Sequence, residues 1–172
     1  MKVSLIKLAE AIYECNIHLK RLINANAEFK SLSPLSVKKY KDFNDSEIRL
    51  LDQIIYRFTK LQDAMGERLF VSLLLTLEED VNTLSFIDIL NRMEQLRILD
   101  SKDDWLFLRK LRNEFSHEYS NELEENVNAV NQLILNLPKI YNIFFQIKKY
   151  TLGKFGTELK ETGYNLETPK LE

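Results

Sequence analysis

The chain has 172 residues, 45% of them hydrophobic and 29% charged, with a net charge of -2, the balance of one ordinary globular domain. That balance excludes a disordered or collagenous chain, and the near-neutral charge excludes a protein that wraps nucleic acid through a bulk basic field. Only 4 glycines and 3 prolines are present, too few for the turns of a many-stranded sheet, so the expectation is all-α.

Leu5, Leu8, Ala9, Ile12, Cys15, Leu19, Leu22 and Ile23 recur at spacings of three and four, which predicts an amphipathic helix over 3–27. The lone Cys15 has no partner for a disulfide and suits that apolar face as a small core residue. His18 lies on the same helix with no carboxylate or second histidine expected around it, and receives no role. The residues before Cys15 mix both charge signs and lack a signal-peptide core, so the expectation is a cytoplasmic, reducing setting. The stretch 29–44 carries Ser31, Pro34, Ser36, Lys38, Lys39 and Lys41 without a sustained period and reads as a connection with one short turn.

Asp45 or Ser46 is positioned to cap a second helix, whose apolar face runs from Ile48 through Phe58, Leu61, Met65 and Leu69 to Leu77. Gly66 weakens the middle of this helix, implying a bend or a close crossing. Beyond Leu69 the helix is apolar nearly all round, which implies burial on several sides. The apolar run at Leu69 to Leu77 is far shorter than the ~20 residues of a membrane span. Clustered acids at Glu78, Glu79 and Asp80, and at Glu122, Glu124 and Glu125, read as solvated helix ends, and no metal is assigned to them.

A third helix is expected from Ser85 to Leu96 and a fourth from Ser101, a good N-cap followed by Asp103 and Asp104 at the positive end of the dipole. A fifth starts at Asn121, with Pro138 expected to kink it. The segment 151–172, with Gly153, Gly156, Gly163 and Pro169, reads as a loosely ordered tail behind a bundle spanning 1–150.

On the fourth helix Arg109, Arg112, Asn113 and Ser116 stand at i, i+3, i+4 and i+7, one polar stripe opposite Leu108, Leu111 and Phe115. His117 follows one turn after Asn113. Taken alone, an arginine and a histidine at a helix end are ordinary partners for its last carbonyls, and Tyr119 is an ordinary half-buried aromatic.

The run Arg112-Asn113-Glu114-Phe115-Ser116-His117-Glu118-Tyr119 resembles the R-x-x-x-x-H-x-Y signature of the HEPN domain family, helical proteins of many prokaryotic toxin and antitoxin systems. The long second helix, and the motif at the end of the fourth helix with one more helix behind it, are similar to that family's up-and-down bundle of about five helices. The resemblance covers roughly residues 5–150, and only the eight-residue motif is specific within it.

What the resemblance implies is a metal-independent endoribonuclease without cofactor, the toxin of such a pair. Arg112 would neutralise the scissile phosphate and His117 would move the proton, as a planar cationic fork and a group titrating near neutrality can do. Asn113 would orient either group, and Arg109 and Ser116 would contact the RNA or nucleotide. The resemblance further implies a homodimer, a nucleotidyltransferase-type antitoxin as partner, and Tyr119 as acceptor of transferred AMP. On one continuous helix Arg112 and His117 would point about 140° apart, so the expectation is a break before His117 or a cleft between two chains. Two other readings use the same stripe: a non-catalytic nucleotide- or partner-binding subunit of a small nucleotidyltransferase, and a purely structural dimerisation bundle.

Overall fold

The computed structural model describes residues 2–115 and 122–170. The described chain is all-helical and forms one helical bundle. Its elements are α1 (Val3–Phe29), α2 (Val37–Lys41), α3 (Asp45–Asp63), a π-helical turn (Ala64–Leu69), α4 (Phe70–Thr76), α5 (Phe86–Gln95), α6 (Lys102–Glu114) and α7 (Leu123–Lys160).

α1 is the central post. It packs along α3, continues onto the π-turn and α4, and meets α7 on another side. Leu8, Ile12, Cys15, Leu19 and Leu22 are all fully buried on its apolar face. Burial raises the Cys15 thiol well above its ordinary range, so the sulfur behaves as a packed apolar atom. α2, the short turn expected in the connection, is capped by Ser36, whose side chain accepts from the Lys39 amide. The loop before it is tied to α7 by one side chain: the Leu35 amide donates to Asn131 Oδ1 at 2.8 Å, and Asn131 Nδ2 donates to the Leu35 carbonyl at 2.9 Å.

The cap of α3 is Asn44, one residue earlier than the sequence suggests. Asn44 and Glu47 close a reciprocal capping box, which satisfies two helix-end donors that Asp45 or Ser46 would serve only singly. α3, the π-turn and α4 then run without interruption, as the long second helix requires. Past Leu69 the helix is buried within the chain itself, at Phe70, Leu73 and Leu74. α4 and α5 end on the left-handed residues Glu78 and Arg97 (φ 64° and 57°). The Glu79 and Ile98 amides reach back to the carbonyls of Leu74 and Met93 there.

Two expectations about the C-terminal half are corrected. Helical dihedrals continue through Pro138, and the interior departure is at Phe155 instead (φ -125°, ψ 16°). The segment after 150 is not loose: α7 extends to Lys160, with Thr151 and Leu159 fully buried. The extended residues beyond it lie on α1, where the Tyr164 ring meets Tyr13 at 5.6 Å and its hydroxyl donates to Glu10 Oε1 at 3.0 Å. Glycines and polar residues hid this contact, because it depends on one tyrosine and on Leu166 and not on a periodic face. Among the described residues, no helix is long and apolar enough to cross a membrane.

Candidate functional site

α6 begins as its sequence demands, with Ser101 Oγ accepting from the Asp104 amide. Its apolar stripe of Trp105, Leu108 and Leu111 is buried. That fixes the helix roll and turns Arg109 and Arg112 toward the π-turn, where they line a cleft of about 180 Å³ with Gln62, Asp63, Gly66, Glu67, Phe86 and Trp105.

Arg112 is already engaged there. Its Nη2 lies 2.8 Å from Asp63 Oδ1, with both side chains about 30% exposed (30% and 28%). Asp63 is the last residue of α3, so the π-turn begins at the carboxylate that holds the arginine. The Arg109 guanidinium sits 4.9 Å from the centroid of the Phe86 ring, a cation–π contact. Asn113, which the sequence groups with these arginines, is exposed and does not line the cleft.

The π-turn gives the cleft its depth. One extra residue per turn widens the helix locally, and Gly66 at its centre leaves the approach to α6 open. A Cβ at Gly66 would stand 3.2 Å from Trp105 Cζ2 and 3.5 Å from two atoms of the Phe86 ring. The indole in turn packs on Phe70 at 4.6 Å between ring centroids. The close crossing anticipated at Gly66 is therefore present.

Ser116, His117 and Tyr119 lie outside the described residues. α6 itself ends at Glu114, with Phe115 closing the helix by a hydrogen bond from its amide to the Arg112 carbonyl. The geometry of one continuous helix thus does not govern the relation of Arg112 to His117.

Asp63, Gln62, Phe86 and Glu67 were not anticipated in the site. Gln62 carried a signal: it falls four residues after Phe58 and three before Met65, the core-facing register, where an amide is out of place. Asp63 carried none, because the residue that makes it part of a site lies on another helix.

Two other polar clusters are built into the interior. His18, expected to stand alone, has Arg57 Nη1 at 3.1 Å from its Nδ1 and Glu14 at 3.8 Å from its Nε2. Burial, and then Arg57, push the imidazole below its ordinary pKa, so the neutral ring accepts from Arg57. Glu14 also pairs with Arg68 of the π-turn. The cluster pins α1 to α3. Lys148 is 2% exposed and donates to Asn16 Oδ1 at 3.1 Å, and burial lowers it to about 8.

Among the acids flagged at helix ends, Glu79 takes both Arg92 Nε and Nη2 at 2.8 Å, and Glu78 takes Lys2 at 2.6 Å. Among the described residues no three His, Cys, Asp or Glu side chains converge as a metal-ligand set. Compared with family models, curated proteins and solved structures, the chain has no match.

Proposed function

We propose that this protein is the toxin component of a toxin and antitoxin pair, an endoribonuclease that needs no metal ion and works in a cleft between two copies of the chain. The reading rests on the resemblance of residues 112–119 to the HEPN signature. The observation that supports it best is that Arg112 and Arg109, at the head of that signature, both line one cleft beside an aromatic ring.

In this reading Arg112 binds the phosphate and His117 removes the proton of the ribose 2'-hydroxyl. The 2'-oxygen attacks phosphorus, the bond to the 5'-oxygen breaks, and the leaving oxygen takes a proton, from the second histidine of the dimer. A 2',3'-cyclic phosphate and a 5'-hydroxyl result. Asn113, exposed next to Arg112, orients the histidine or the phosphate, and Ser116 adds a contact to RNA. Transfer of AMP to Tyr119 by a nucleotidyltransferase antitoxin places charge and bulk beside Arg112 and silences the enzyme.

The contact from Asp63 to Arg112 favours a second reading. A guanidinium already held by a carboxylate suits a non-catalytic nucleotide- or partner-binding subunit, in which Arg112 is a structural tie. Incubating the purified chain with structured and unstructured RNA separates the two. Cleavage that Arg112→Ala and His117→Ala each abolish, with fold and dimer intact, is the expected result. Cleavage that persists in His117→Ala overturns the acid–base role.

A further inference from the structure

The cleft between the π-turn and α6 has an inner wall that the phosphate chemistry leaves unused. Gln62 and Trp105 line it and are 4% and 1% exposed. The Nε2 amide of Gln62 and the indole Nε1–H of Trp105 have no hydrogen-bond acceptor among the described residues. A buried donor left without an acceptor destabilises the fold by about 1–3 kcal/mol. Two of them on one wall of one cleft call for a ligand that brings acceptors.

The rest of the wall is flat. The Arg109 guanidinium lies over Phe86, and a guanidinium plane or an aromatic ring is the surface on which an unstacked nucleobase rests. Gly66 adds no side chain, so nothing projects from the π-turn between Trp105 and Phe86. At about 180 Å³ the cleft is below the roughly 300 Å³ at which sites for drug-sized ligands begin. That is room for one planar group and not for a stretch of chain.

We propose that this cleft is a base-recognition pocket, taking one splayed-out nucleobase that presents two adjacent acceptors, guanine by its N7 and O6. Adenine offers N7 but turns its N6 amino donor toward the second protein donor, so it leaves one buried N–H unpaired and adds another. The pocket deepens the ribonuclease reading, on which it rests for its substrate class: the base enters beside the phosphate that Arg112 holds, and the enzyme cuts next to guanine.

Trp105 is the chain's one tryptophan, so its emission reads this cleft alone. The full-length protein is titrated with guanosine, adenosine, cytidine and uridine, none of which carries a phosphate. Guanosine is expected to quench saturably and at least about tenfold more tightly than the other three. Gln62→Leu keeps the volume and removes one donor, and should erase the preference while leaving the unfolding midpoint in place. Arg109→Gln should weaken all nucleosides alike.

Equal affinities, or preference for another nucleoside, overturn the guanine assignment. No saturable quenching with any of them means that the two donors serve bound water only, and overturns the pocket. The cleavage reading fails separately: guanosine selectivity without cleavage of any RNA leaves the pocket and removes the ribonuclease. Arg112-dependent cleavage with no base preference does the reverse.

Discussion

Gly66→Ala tests the π-turn directly, because two opposing terms at that residue can each be assigned a size. In a helix interior alanine is favoured over glycine by about 1 kcal/mol, and loss of glycine's freedom in the unfolded chain is part of that gain. Against it stands the new methyl group, 3.2 Å from Trp105 Cζ2 and 3.5 Å from the Phe86 ring. The indole must give way by a few tenths of an ångström. It is backed by Phe70 at 4.6 Å and is 1% exposed, so it moves only by disturbing a packed cluster, at about 1–3 kcal/mol.

The net expectation is a variant less stable than the parent by up to about 2 kcal/mol. For a chain of this length that lowers the thermal midpoint by up to about 8 °C. Gly153→Ala is the matched control, since a Cβ there meets nothing within 4 Å, and it should stabilise by up to about 1 kcal/mol. Urea unfolding of both variants, followed by far-UV circular dichroism, gives the two signs. If Gly66→Ala stabilises as much as Gly153→Ala, then the π-turn does not press α6 and the account of the cleft is wrong.

Asp63→Ala, Arg112→Ala and the double variant form a cycle for which a coupling of about 0.5–1 kcal/mol is expected, as solvent screens a pair this exposed; a coupling of zero in urea unfolding would remove Asp63 as the arginine's holder. Asn131→Ala strips both hydrogen bonds from Leu35 and should cost about 1–2 kcal/mol, with faster amide exchange at Leu35. Unchanged exchange there would show that the loop is anchored by something else. Lys148 has its folded pKa depressed to about 8 from an ordinary 10.5, so between those values the unfolded state holds more protons and stability should rise with pH. Unfolding midpoints at pH 7.5 and 10, in the parent and in Lys148→Met, check this; a rise that survives the substitution has another source.

How far the fold could be read ahead depended on whether a residue's role was local. The apolar stripes of α1 and α6 and the caps at Ser85 and Ser101 come from neighbours within one or two turns, and all stand as expected. The ends of α4 and α5 did not show, because Glu78 and Arg97 adopt the left-handed conformation that glycine usually marks. The order of residues 161–170 was hidden for a different reason: Tyr164 and Glu10 are far apart in sequence, and neither belongs to a periodic face. Pro138 misled by its type. The chain keeps helical dihedrals across it, although proline removes a donor there.

The candidate site shows the same division at the scale of single residues. Arg109 and Arg112 could be paired from their spacing on one helix. Their counterparts Asp63 and Phe86 could not, since α3 and α5 reach α6 only through the tertiary packing. The π-turn makes those contacts into a cleft instead of a filled interface. With ordinary α-helical winding and a side chain at position 66, the space between Trp105 and Phe86 would be occupied, and Gln62 and Arg109 would have no cavity to share.

Arg112 therefore meets two demands that pull in opposite directions. A guanidinium that must meet a phosphate gains from being held in place beforehand, since less side-chain freedom is then lost on binding. The carboxylate that holds it also subtracts from its field. Asp63 contacts one terminal nitrogen of the fork, at 2.8 Å and at a partly solvated position, where screening weakens its field more than its hydrogen bond. Positioning should then outweigh neutralisation, and under the ribonuclease reading Asp63 serves Arg112 as its aligning group. A dry, fully buried pair would have reversed that balance, because the arginine's charge would then be matched before any phosphate arrived.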